Sequence, residues 1–246
     1  MVTLGPSSNN IETLRKLEVQ GVDFVRINMS HSESDDLKKF IGLSKKVQIP
    51  FVVDTEGSQV RTNNNKEEIV YYNENDEVLI HNQPILGDSQ NLSLRPLGIV
   101  ELLEPGDLIY VDFHSVVINV INRMDQKSGT AKGLIISSGK IGSNKGVFID
   151  SFYKKELNLP TLTEKDIQSI QTGLKEGIHY IAASFMRSGQ NVRDVKKAVK
   201  GKMKVISKIE CMDALNNLDE IIDESDYLLI DRGDLSKEVP LEKIPL

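Results

Sequence analysis

The chain has 246 residues, 39% of them apolar and 27% charged, with a formal net charge of -6. That composition allows one large core or two smaller ones. The acidic balance, with no basic block interleaved with aromatics, argues against general nucleic-acid binding, and no apolar run reaches the roughly 18 residues of a bilayer span.

The opening "MVTLGPSSNN" lacks the basic-then-apolar order of a secretory signal. "VTLG" reads as a short strand ended by Gly-Pro, and "NNIETLRKLEVQG" as a helix, with Ile11, Leu14 and Leu17 at helical spacing and Gly21 closing it. "VDFVRINMS" follows as a buried strand, Leu37, Phe40, Ile41 and Leu43 mark a second helix, and "IPFVVDT" is a third strand. Such alternation implies parallel strands with helices packed outside. The rhythm changes near Thr62: "IVYYNENDEVLI" and "GDLIYVDFHSVVINVINRMDQKSGTAKGLII" are rich in β-branched residues and broken by Asn, Asp and Gly, which predicts an all-β insert. Alternation resumes at "LPTLTEKDIQSIQTGLKEG", where Thr163 is a good N-cap with Asp166 three residues on, a capping-box variant. "IHYIAASF", "MKVISKIE" and "DYLLID" bring the parallel-type strands to six. The lone cysteine, Cys211, cannot form an internal disulfide, which points to a reducing cytoplasm.

Chemistry in α/β barrels collects at the carboxyl ends of strands, and charged residues concentrate there in this chain. The strands end in "RINMSH", "DTEGSQVR", "ASFMR", "SKIE" and "DRGD". Polar loops are common in α/β proteins, but five successive ends mixing charges of both signs with hydroxyls or glycines suit a polyanion held with metal ions. Glu210 and Asp234 are candidates for a hard cation such as Mg²⁺. Lys208 stands two residues before Glu210, so both side chains leave the strand on one face. That lysine either neutralises charge on a migrating phosphoryl group or pairs structurally with Glu210.

In order and spacing, "TLGPSS", "RINMSH", "DTEGSQVR", "GDLIYVDFH", "SNKGVFI", "LPTLTEKD", "AASFMR", "ISKIE" and "DRGDLSKEVPLEKIP" resemble pyruvate kinase over nearly the whole chain. The resemblance implies an α/β fold of TIM-type (β/α)₈ barrel kind, with residues 1–62 and 151–246 in the barrel and 63–150 forming a small all-β lid. It implies phosphoryl transfer from phosphoenolpyruvate to ADP, giving pyruvate and ATP, with Mg²⁺ and K⁺ as cofactors. Arg26 and Arg61 would hold nucleotide and transferring phosphate, Lys145 the nucleotide, and Lys208 the transition state. Glu210 and Asp234 would ligate Mg²⁺; Asn28, Ser30, Asp54 and Thr55 would ligate K⁺. Ser184 would lie at the metal site, and the backbone around Gly233 would bind the substrate carboxylate. A homo-oligomer and a cytoplasmic location are expected, with no nucleic-acid or membrane partner.

Several positions depart from that pattern. Glu56 stands where lysine is usual, Gln59 replaces a residue associated with potassium dependence, Phe113 and His114 stand where Asp-Gly is usual, and Asp231 replaces a small residue beside the carboxylate site. A charge at 4 Å would oppose an anion by about 4 kcal/mol at an effective dielectric near 20. The final "LEKIPL" stops about where the family's sixth helix begins, so a fragment is expected, without the threonine that assists protonation of the enolate. The alternatives are a divergent relative acting on another enolpyruvyl or 2-oxo acid, and a non-catalytic relative.

Overall fold

A computed structural model describes residues 1–151, 157, 159–239 and 243. The chain divides into two compact units, Met1–Ser58 with Pro160–Leu246, and Gln59–Leu159.

The first unit opens with β1 (Val2–Thr3), α1 (Ile11–Val19), β2 (Val25–Asn28), α2 (Ser34–Ser44) and β3 (Phe51–Asp54). Helix α1 starts where Asn10 Oδ1 accepts the Thr13 N–H at 2.8 Å, satisfying one of the donors a helix start leaves open. The apolar stripes read from the sequence face inward: Leu14 of α1 and Leu37, Phe40 and Ile41 of α2 are buried.

Strands β4 (Arg61–Thr62), β5 (Ile69–Tyr72), β6 (Glu77–His81), β7 (Asn91–Arg95), β8 (Leu108–Val111), β9 (Val116–Asp125), β10 (Thr130–Ser137), β11 (Gly139–Gly142) and β12 (Val147–Asp150) build the second unit. Seven of them form one sheet in the order β12-β8-β9-β10-β6-β7-β4, and β11 pairs with β5. Alternation turns one face of each strand inward, and Ile80, Leu92, Ile109, Val116, Ile118 and Ile135 are among the buried residues of a core separate from that of the first unit. Strand β4 pairs with β7, and the Val147 N–H donates to the Val60 carbonyl at 2.9 Å. These backbone bonds tie Val60–Thr62 into the β fold.

The first unit then resumes with α3 (Glu164–Lys175), β13 (Tyr180–Ala183), α4 (Gly189–Ala198), β14 (Lys204–Ile209), α5 (Met212–Asn216), α6 (Leu218–Glu224), β15 (Tyr227–Ile230) and α7 (Arg232–Leu235). Its sheet runs β1-β2-β3-β13-β14-β15 with every pair parallel. Strand order therefore follows chain order without reversal, unlike a doubly wound sheet, which turns back at a switch point. Right-handed crossovers all advancing in one direction put the helices on a single face, the winding that makes an α/β barrel. Side-chain alternation agrees. Val25, Ile27, Phe51, Val53, Ile181, Val205 and Ile209 join the core beneath the helices. Val52, Ala182 and Ile206 form a separate cluster on the opposite face, with Phe24, Tyr180 and Leu229 packed against it. Among the described residues no helix is long and apolar enough to cross a membrane.

Candidate active site

Above the apolar layer of Val52, Ala182 and Ile206, the next inward positions along the same strands are Asp54, Ser184 and Lys208, with Glu210 one step beyond. Period-two alternation of the strands carries this switch from apolar to ionic at one level of the sheet. Lys208 is the hub. Its Nζ lies 2.7 Å from Glu210 Oε1, 3.3 Å from Asp54 Oδ1 and 3.5 Å from Asp231 Oδ2, and it donates to Ser184 Oγ at 3.1 Å. Lys208, Glu210 and Asp54 are 3%, 1% and 0% exposed, so these charges interact with little water between them and solvent screens them weakly.

Burial disfavours the lysine's ammonium, but Asp54, Glu210 and Asp231 outweigh it and hold Lys208 above its ordinary value. Burial pushes the Glu210 carboxyl up to about 7, against the lowering effect of Lys208 and of the Phe185 N–H, while the Asp234 charge pushes it further up. Asp54 is likewise raised, by burial first, despite Lys208 and Arg26. The cluster carries more negative charge than its own cations answer.

Glu210 Oε2 accepts the Phe185 N–H at 2.7 Å, and Oε1 faces the Lys208 ammonium at 2.7 Å. Glu210, Asp231 and Asp234 offer ligand atoms within 4.8 Å of one another. Carboxylate oxygens grouped this closely are the donor type that a hard divalent cation takes.

The residues singled out in the sequence sort by unit. Lys208, Glu210, Asp54 and Ser184 converge as above, and Asp234 joins through the carboxylate group. Arg26 is drawn to Asp54: its Nη1 lies 2.8 Å from Asp54 Oδ2, and its Nε donates to Thr3 Oγ1 at 2.7 Å. Thr55 Oγ1 accepts the Ser184 N–H at 2.9 Å, and the Ser184 hydroxyl donates to the Thr55 carbonyl at 2.8 Å. Asn28 Oδ1 accepts the Ser30 N–H at 2.9 Å, and Ser30 Oγ reaches the Glu56 carbonyl at 3.5 Å. Glu56 lies 3.9 Å from the Lys165 ammonium. Gly233 is the second residue of the four-residue α7, and Asp231 Oδ1 lies 3.4 Å from the place a Cβ on it would take.

Arg61, Gln59, Lys145, Asp112, Phe113 and His114 belong to the all-β unit. Arg61 Nη1 donates to the Asn144 carbonyl at 2.8 Å, and with its amide oxygen turned inward Gln59 accepts from Arg61 Nη2 at 2.6 Å. Lys145 Nζ lies 3.1 Å from Asp112 Oδ2. Asp112, Phe113 and His114 all have positive φ, 50°, 55° and 66°, an uncommon run for residues with side chains.

Three contributors escape a reading of strand ends. Asp166 is fully buried and accepts the Glu56 N–H at 2.7 Å and the Gly57 N–H at 3.2 Å, fixing the loop after β3; its helix-cap position signals only part of this. Phe185, at φ 53°, aims its N–H at Glu210, and Arg187 donates to the Ser58 carbonyl at 2.7 Å. No sequence pattern announces either.

A barrel-type α/β sheet that gathers a buried lysine and three carboxylates at its strand ends defines a class of barrel proteins suited to hold a divalent cation beside an anion. The family model "Pyruvate kinase, barrel domain" matches residues 1–246, and the chain belongs to the pyruvate kinase family. It is 30% identical over 253 residues to a protein named pyruvate kinase from Staphylococcus epidermidis, covering 99% of this chain and 43% of the relative. It is 33% identical over 256 residues to one from Debaryomyces hansenii, covering 98% of this chain and 50% of the relative. The chain thus spans half or less of the length of these relatives.

Proposed function

We propose that this chain carries the phosphoryl-handling part of a pyruvate kinase active site. The reaction moves the phosphoryl group from the enol oxygen of phosphoenolpyruvate to a terminal phosphate oxygen of ADP, and the enolate left behind takes a proton at carbon to become pyruvate. The observation that carries this reading is Lys208 Nζ at 2.7 Å from Glu210 Oε1, within a group whose carboxylates Glu210, Asp231 and Asp234 lie within 4.8 Å of one another. When bound on Glu210 and Asp234, Mg²⁺ would supply charge neutralisation for the phosphate and carboxylate oxygens.

In this reading Lys208 offsets charge on the transferring group, the largest kind of catalytic contribution in such sites. Ser184 holds the Lys208 ammonium in place at 3.1 Å. Arg26 and Arg61 orient phosphate through fixed guanidinium donors, Lys145 binds the nucleotide, and the backbone at Gly233 meets the substrate carboxylate. The all-β unit serves as a lid that excludes water, and the six-stranded sheet is part of a (β/α)₈ barrel working in the cytoplasm. Potassium would sit among Asn28, Ser30, Asp54 and Thr55. Those oxygens are engaged internally, with Asp54 already facing both Lys208 and Arg26.

Pyruvate release followed with lactate dehydrogenase and NADH tests the proposal. A rate that needs phosphoenolpyruvate, ADP and Mg²⁺ together, and that falls by about 10²–10³-fold in Lys208→Met, supports it. Asp231, 3.5 Å from the Lys208 ammonium, favours a second reading, a relative acting on another enolpyruvyl or 2-oxo acid. Mn²⁺ binding without any pyruvate formed would select that reading.

A further inference from the structure

We propose that Arg95 is a second phosphate-binding guanidinium beside Arg61, the two forming a clamp on the all-β unit for the linked phosphoryl groups of a diphosphate or triphosphate. The inference rests on the phosphate role proposed for Arg61 and deepens it.

Strands β4 and β7 pair so that Arg61 and Arg95 stand directly opposite each other. Their neighbours Val60, Thr62, Leu92 and Leu94 are buried, so alternation turns both arginines to the other face of the pair. Directly opposite positions bring Cβ atoms to about 5 Å, and like charges placed there destabilise a sheet. The two guanidinium groups nonetheless converge on one residue. Arg61 Nη1 donates to the Asn144 carbonyl at 2.8 Å, and Arg95 Nη2 donates to Asn144 Oδ1. Asn144 has φ 58°, a conformation that asparagine adopts more readily than most residues. Its two oxygens fix the guanidinium groups side by side.

Asn144 answers those charges with neutral oxygens only. Among the described residues Arg95 has no carboxylate partner, and most of its N–H donors remain unengaged. Both arginines are half-buried, so water answers them incompletely. The nearby cation Lys145 lies 3.1 Å from Asp112 Oδ2, a pair that leaves the Arg95 charge uncompensated. A planar guanidinium with unused donors matches phosphate oxygens in a two-point fork. Two such forks fixed side by side suit oxygens carried on two linked phosphorus atoms. The chemistry taken is therefore a pyrophosphate linkage, in a nucleoside diphosphate or triphosphate or as the free inorganic ion.

Isothermal titration calorimetry of the intact chain with ADP and with inorganic pyrophosphate tests this. Arg95→Gln should weaken binding by about tenfold, and Arg95→Lys should restore only part of it, because an ammonium lacks the fork. Tighter binding of ADP than of pyrophosphate by the parent assigns the clamp to a nucleotide, and the reverse order assigns it to the free ion. Arg95→Gln also removes a like-charge pair, so its melting temperature should equal or exceed the parent's. A lower melting temperature would make Arg95 a structural residue and overturn the proposal. If Arg95→Gln binds both ligands within about twofold of the parent while Arg61→Gln loses them, the role given to Arg95 is overturned and that of Arg61 stands. If the parent binds neither ligand, or Arg61→Gln binds both equally well, the phosphate reading of Arg61 falls together with this inference.

Discussion

Glu210 is the residue on which the electrostatics of the site turn. Its folded value of about 7 lies above the ordinary 4.5, so ionising it destabilises the folded chain. Stability present below about 4.5 is lost as pH rises through about 7, a span on the order of 3 kcal/mol. In cation-free buffer the melting temperature should therefore rise as pH is lowered from about 8 to 5. Glu210→Gln should remove much of that rise, leaving the part due to Asp54, which burial also raises. Saturating Mn²⁺ should oppose the trend, because a cation binds the ionised carboxylates. Next door, burial pushes the Cys211 thiol up to about 12. The thiolate is the reactive form, so Cys211 should resist alkylation by iodoacetamide in the native chain and react only on unfolding, as a mass-spectrometric time course would read. At this scale the sequence speaks through spacing: the two-residue step from Lys208 to Glu210 places both on one face. It is silent on pairings between strands, such as Arg26 with Asp54, because those depend on register.

Among the elements, α3 links fold to site. Its start is legible in the sequence, Thr163 and Asp166 exchanging hydrogen bonds with each other's backbone N–H at 3.1 and 3.0 Å. What the sequence conceals is that Asp166 also binds the N–H groups of Glu56 and Gly57, 110 and 109 residues earlier in the chain. Thr163→Ala removes one capping bond and should cost about 1 kcal/mol in chemical denaturation. Asp166→Ala also strands buried loop donors and should cost about 3 kcal/mol. Gly57 in that loop has φ +69°, and an added Cβ would lie 2.6 Å from Ser184 Cβ. Gly57→Ala must therefore displace Ser184, the Lys208 partner, and should reduce Mn²⁺ affinity. An unchanged Mn²⁺ titration would show that the loop yields without disturbing the cluster.

For the molecule as a whole, the alternation of strands and helices in the sequence left a two-layered α/β sheet or a barrel, and the unreversed strand order β1-β2-β3-β13-β14-β15 favours the barrel winding. Composition likewise marked the β-rich segment, to which backbone pairing also joins Val60–Thr62. Strands β1 and β15 end the parallel sheet among the described residues, and β15 exposes Tyr227, Leu228 and Ile230 at 50%, 41% and 64%. The proposed chemistry requires Lys208, Glu210 and Asp234 to meet around one divalent ion. Anomalous diffraction from crystals grown with Mn²⁺ and phosphoenolpyruvate tests it most directly. A manganese peak in contact with Glu210 and Asp234, with the phosphoryl group beside Lys208, is the expected result. A fully occupied manganese elsewhere on the chain, with those carboxylates bare, would contradict it.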